Sequence, residues 1–186
     1  MIEVYTKEYW LNELKDSASF LESLYRKTVW DNELEFKTEK AIFVGFYAIR
    51  KLKESKLLSS SICGFNTRLI SYPIRIELVD DKEEKWSKKF NFNQSIKEEL
   101  ALEQLCNQFI HSIIYSPFVP DGMVCAGFFF ASDKECKKHV YYVQLIKIVN
   151  IFLSVAHNKK INLELEIDGL NVSAKNLKMH TQQIKI

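Results

Sequence analysis

The sequence is poor in the residues that build long flexible segments. Of 186 residues only 5 are glycine and 3 are proline, while 47% are hydrophobic. Collagen-like, mucin-like and wholly disordered organisations are thereby excluded. Long apolar runs are lacking as well: Ala41 to Ile49 and Ile148 to Ala156 are among the longest, well short of the roughly 20 residues a spanning helix needs. Charge of one sign is not in excess, with 26 Lys and Arg against 24 Asp and Glu for a net charge of +2. Such a balance requires neither nucleic acid nor an anionic membrane as partner. Arginine is scarce, at Arg26, Arg50, Arg68 and Arg75 alone, so bidentate clamps for phosphate or carboxylate are few.

Cysteine is sparse and scattered. Cys63, Cys106, Cys125 and Cys136 include no close pair, and the reading is of buried or half-buried thiols in an intracellular chain. Cys136 and His139 form one C-x-x-H, without a second pair to complete a tetrahedral zinc site. His157 and His180 stand alone. The start carries acids from Glu3 onward and lacks a basic region followed by an apolar run. It is not read as a secretory signal, and a cytoplasmic location is expected. Glycine-rich phosphate loops, G-x-S-x-G, H-E-x-x-H and calcium-loop patterns are all missing, which withdraws support from the mechanisms that depend on them. Neither metal nor cofactor is expected.

What is present is 13% aromatic residues, ample area for a core. In the first thirty residues Tyr9, Trp10, Leu14, Phe20, Leu21, Leu24 and Tyr25 recur at three- and four-residue spacing, predicting a helix with a break near Asp16 to Ser19. Asn32 with Glu35 has the spacing of a capping box and opens a second helix to about Leu57. Its middle, AIFVGFYAI, is apolar on nearly every side, which places it centrally in the helical layer. Beyond Ser59 the period changes. Ile74 to Leu78 alternates apolar and charged and predicts a strand that Pro73 confines to an edge or to the strand's start. The DDKEEK loop and Trp86 to Phe92 complete a predicted hairpin.

Ser95 with Glu98 suggests another capping box, for a third helix through Leu100, Leu105, Phe109 and Ile113, limited by Pro117. After a PDG turn come two strands, MVCAGFFFA and HVYYVQL. GFFFAS resembles part of the base-stacking strand of RNA-recognition domains, but Phe128 and Phe130 on one face and Phe129 on the other read better as core. An amphipathic helix follows, with Leu145, Ile148, Val149, Phe152, Val155 and Ala156 inward and Lys147, Asn150, Ser154 and Asn158 outward. Asp168-Gly169 sets a hairpin opposing Ile167 to Leu170, Leu165 to Val172 and Leu163 to Ala174. The tail from Lys175 is polar. The expectation is a single α+β domain over residues 1–186: a helical layer over about 1–58 and a sheet-rich part over about 68–174. N-terminal helices pack on a mainly antiparallel sheet, and two further helices lie among the strands.

One local pattern points to chemistry. Glu103, Asn107 and His111 follow one another at four-residue spacing on the predicted third helix, a carboxylate, an amide and an imidazole suited to orient a proton-transfer histidine. The string CNQFIH resembles the motif of HEPN-domain ribonucleases, in which an arginine and a polar residue precede a helix-borne histidine. Asn107 and His111 match, and Cys106 replaces the arginine. The resemblance covers six residues and implies an RNA-acting helical protein, yet HEPN domains are helical bundles and a strand-rich half is predicted here. Without the arginine, the group that would stabilise charge on a phosphate is missing. Arg50 is the candidate substitute. A second pattern is Arg50, Lys51, Lys53 and Lys56 at the end of the second helix, which complements the helix dipole and offers an alternative nucleic-acid patch. The leading expectation is a non-catalytic binding or accessory protein that works through protein contact, with a homodimer through the N-terminal helices. The alternative is a divergent HEPN-like RNA-acting protein that uses His111.

Overall fold

The computed structural model describes residues 2–75, 86–120 and 124–159. Helix α1, Ile2–Ser23, runs unbroken through Asp16 to Ser19, where a break was expected. The small residues there serve packing: Ser17 and Ala18 are buried, and the Ser17 hydroxyl bonds back to Glu13 Oε1 at 3.4 Å. Helix α2, Asn32–Glu54, is capped one residue earlier than expected. The cap is Asp31, whose carboxylate accepts the Leu34 N–H at 2.7 Å. The helix also ends before Leu57. Lys56 takes a φ of 56°, and the N–H groups of Lys56 and Leu57 turn back to the carbonyls of Lys53 and Leu52, both at 2.9 Å. This is a Schellman ending built on lysine rather than glycine.

After the single turn α3, Ser60–Cys63, the chain enters β1, Asn66–Pro73. This strand, which the sequence reading did not foresee, lies before Pro73 and is interior to the sheet. Pro73 is the last residue of β1, opposite His139. Ile74 makes only an isolated bridge to Phe90, and Trp86–Lys89 forms a 3-10 turn in place of a strand. The third predicted helix is a strand, a helix and a strand: β2 Ile96–Ala101, α4 Leu102–Ile110 and β3 Ser112–Phe118. The actual start of α4 is marked by Gln104, whose Oε1 accepts the Ala101 N–H at 3.0 Å. Pro117 sits in β3, an edge strand, where its missing N–H costs no ladder bond. Strands β4, Gly127–Ser132, and β5, His139–Gln144, and helix α5, Leu145–Ala156, complete the described fold. The PDG turn, the DDKEEK loop, Ile76 to Leu78, the Asp168-Gly169 hairpin and the tail lie outside the described residues.

The architecture is α+β. Among the described residues, five antiparallel strands take the order β2-β1-β5-β4-β3. Because β2 and β3 are opposite edges, α4 carries the chain across one whole face of the sheet. α2 packs against α4 and, through Gly45 and Phe46, against Phe152 of α5, while α1 packs against α5 and α2. α2 also reaches the sheet itself, where the Phe43 ring meets Tyr115 of β3 edge-on at 5.5 Å. Leu69, Phe128, Phe130, Tyr141 and Val143 join the helical core, whereas Tyr72, Phe129, Val140 and Tyr142 join Phe90 in a second core on the opposite face. Burial on both faces explains why β4 and β5 are apolar without alternation. α5 has the predicted inward face, but Ser154, assigned outward, is 2% exposed. The ends of α2 and α5 are tied together: Asn158 closes α5 at a φ of 49°, and its Oδ1 accepts the Ser59 N–H at 2.9 Å.

Candidate functional site

The residues of the HEPN-like pattern lie on α4 and just past its end. Packing of α4 against α2 forms a cleft of about 90 Å³ lined by Arg50, Lys53, Glu54, Glu103, Cys106 and Asn107. That space is sized for a few water molecules. Arg50 therefore does stand beside Asn107 and Cys106, as a substitute for the missing arginine would have to. The cleft's ionised groups are engaged with one another. Lys53 Nζ donates to Glu103 Oε2, and Arg50 Nε donates to Glu54 Oε1 at 2.8 Å. The Lys53 ammonium holds the Glu103 carboxyl below its ordinary range. Burial pushes the Cys106 thiol up to about 12, against the opposing pull of Lys53 and Arg50, so at neutral pH it is not a thiolate nucleophile.

His111 is not among the lining residues. Four-residue spacing brings side chains to one face only while the helix lasts, and α4 ends at Ile110. His111 is its C-cap, with φ −107° and ψ 17°. It is exposed, its N–H bonds to the Asn107 carbonyl at 3.1 Å, and its own carbonyl accepts the Asp133 N–H at 3.3 Å. The structure thus brings Glu103 and Asn107 together with Arg50 and sets His111 apart.

The basic patch is divided. Arg50 and Lys53 enter the cleft in ion pairs, Lys51 lies over the Tyr47 ring at 5.9 Å, and Lys56 sits in the Schellman ending. Elsewhere, Cys136 Sγ donates to the Asp133 carbonyl at 3.1 Å. His139 Nε2 is 3.5 Å from Glu135 Oε2. Among the described residues no three His, Cys, Asp or Glu side chains are grouped as metal ligands, and no helix is long and apolar enough to cross a membrane. All four cysteines are free thiols, with Cys106 and Cys125 buried.

The chain matches no family model, no curated protein and no solved structure.

A surface that the sequence reading did not recognise lies on the outer side of α1 and α2, and it includes Tyr9, which the periodicity counts with the apolar positions of the first helix. Tyr9 is 74% exposed, Phe36 64% and Tyr47 44%. The two helices form an αα-hairpin through a short connection, and Trp10 of α1 meets Tyr47 of α2 edge-on at 5.7 Å. Tyr9, next to Trp10 in α1, is exposed to solvent. On α2, Phe36, Lys40, Tyr47 and Lys51 are separated by four, seven and four residues and fall on one stripe. The signal was present in the sequence. It was masked because AIFVGFYAI looked apolar all round, whereas the buried residues are Ile42, Gly45, Phe46, Ala48 and Ile49, and Tyr47 faces out.

Proposed function

We propose that the protein is an intracellular accessory or regulatory protein that binds a protein partner through the outer face of α1 and α2 and does not work by catalysis. The observation that carries this reading is the exposure of Tyr9, Phe36 and Tyr47 on one helical pair. Aromatic rings are the side chains that most often anchor protein interfaces, because they desolvate a large area at small cost in conformational freedom. Four unpaired thiols favour a reducing compartment. The test is capture of partners from source cells by the full chain and by a Phe36→Ser/Tyr47→Ser variant. A partner retained by the first and lost by the second is the expected result. Equal retention by both would remove this face as the binding surface.

A second reading, a divergent HEPN-like RNA-acting protein, is favoured by one observation, the placement of Arg50 beside Asn107 in the α2–α4 cleft. In that reading His111 transfers the proton, so His111→Ala loses RNA cleavage. Cleavage at the parent rate in that variant would end it. The same experiment with Arg50→Ala asks whether this cation replaces the arginine of the motif.

A further inference from the structure

The charges around the exposed aromatic face are arranged in two opposite sets. Among the α1 side chains the structure describes are four acids, Glu8, Glu13, Asp16 and Glu22, against Lys7 and Lys15, and Lys15 Nζ donates to Asn12 Oδ1 at 3.4 Å. Between Glu39 and Glu54, α2 carries four cations, Lys40, Arg50, Lys51 and Lys53. Two of those cations, Arg50 and Lys53, are satisfied inside the cleft. Among the described residues, Lys40 and Lys51 form no ion pair, and neither do Glu8 and Asp16. Lys40 and Lys51 sit on the α2 stripe with Phe36 and Tyr47. Glu8, Asn12 and Asp16 follow one another at four-residue spacing on α1 with Tyr9 beside them, and all four are exposed.

We infer that this face is the interface between two copies of the chain, related by a two-fold axis that lays α1 of each copy along α2 of the other. The inference rests on the reading that the protein works through protein contact, and it names the partner. A two-fold interface uses one patch twice and must be complementary to itself. This patch is: the Glu8 and Asp16 row of α1, with Tyr9 beside it, meets the Lys40 and Lys51 row of α2, with Phe36 and Tyr47 on the same stripe. The dimensions agree. At 1.5 Å per residue, Lys40 and Lys51 are about 16 Å apart along α2 and Glu8 and Asp16 about 12 Å apart along α1, a difference that flexible lysine stems span. A net charge of +2 imposes little repulsion between copies. The aromatic rings supply the buried area, and the charges set orientation and exclude unlike partners.

Sedimentation velocity of the full chain and of two reversed-charge variants tests this. Lys40→Glu/Lys51→Glu alters only the basic half and Glu8→Lys/Asp16→Lys only the acidic half. All four positions are exposed, so both variants retain the parent's circular dichroism. The expected result is a wild-type dimer, each variant weakened by more than about tenfold because like charges now face each other, and association restored when the two variants are mixed. A wild-type chain that stays monomeric over the accessible concentration range overturns the dimer, as do reversed variants that dimerise as the parent does or a mixture that remains monomeric. A monomer leaves the accessory reading itself to the partner-capture experiment, in which Phe36→Ser/Tyr47→Ser decides.

Discussion

Phe46 of α2 and Phe109 of α4 stack face to face, their ring centroids 4.2 Å apart and their planes 8° from parallel. Phe109 stacks in turn on Phe130 of β4 at 4.1 Å and 16°, so a column of three rings runs from the helix that bears the exposed aromatic stripe down to the sheet. All three are fully buried. The column fixes the height and rotation of α2 over α4, and with them the width of the Arg50–Asn107 cleft and the outward direction of Tyr47. Phe109→Ala removes the middle ring and is expected to cost about 3–5 kcal/mol, the range for a buried phenylalanine that leaves a cavity. Urea unfolding followed by circular dichroism measures it. A loss below about 1 kcal/mol would mean that the helices are positioned by something else.

Gly45 gives a test of opposite kind. In a helix interior, alanine is favoured over glycine by about 0.5–1 kcal/mol, so propensity alone makes Gly45→Ala stabilising. A Cβ at this position would stand 2.3 Å from two ring atoms of Phe152, itself fully buried. Overpacking of a closed core costs about 1–3 kcal/mol, and the clash is expected to win. Thermal unfolding should show a lower midpoint for Gly45→Ala. A higher one would place α2 farther from α5.

The two ends of α2 can be checked independently. Asp31→Ala removes the observed cap and is expected to cost about 1 kcal/mol, whereas Asn32→Ala is near neutral. At the other end, Lys56→Gly relieves a side chain held at positive φ, worth about 1 kcal/mol in favour of the variant. Chemical denaturation of the three variants measures both, and the reverse order at Asp31 and Asn32 would restore the cap that the sequence suggested.

Those cap positions show where the sequence was legible. The α+β class, the inward face of α5, and the doubly buried β4 and β5 could be read because their apolar periods are strong. β2 could not. Its residues Lys97, Glu98, Glu99 and Leu100 are good helix formers, and they are held extended by pairing with Arg68, Leu69 and Ile70 of β1 and the residue before them. Only the long-range partner overrides the local preference. The other end of the same element was also read too far: α4 stops at Ile110 and β3 begins at Ser112, so His111 is the C-cap of the helix and not an interior position in the Glu103, Asn107 and His111 row. Arg50 and Asn107 were the converse: two residues 57 apart in the chain that line one cleft, a proximity that no spacing rule reaches.

The thiols predict a pH limit. Folding raises Cys106 and Cys125 from 9.0 to about 12 through burial, and burial also raises Tyr115 and Tyr142. Each group is bound more firmly to its proton in the folded state, so its stabilising contribution is fully present below the unfolded value and fades as pH rises through the folded one. For the two cysteines the window is pH 9.0 to about 12. Stability should therefore fall above about pH 9, as followed by urea midpoints across that range. In the same native protein a thiol reagent should label the partly exposed Cys63 and Cys136 and reach Cys106 and Cys125 only on unfolding. Rapid native labelling of Cys106 would contradict its burial.

The role of the α1–α2 face is tested most directly by hydroxyl-radical footprinting of Tyr9, Phe36 and Tyr47 in the free protein and in its complex with the partner it captures, another copy of the chain included. Loss of reactivity at all three rings on complex formation, with His111 and the β2 edge at Ile96 unchanged, is the expected result. Unaltered reactivity at the three rings, with protection gathered instead around His111 or Ile96, would contradict it.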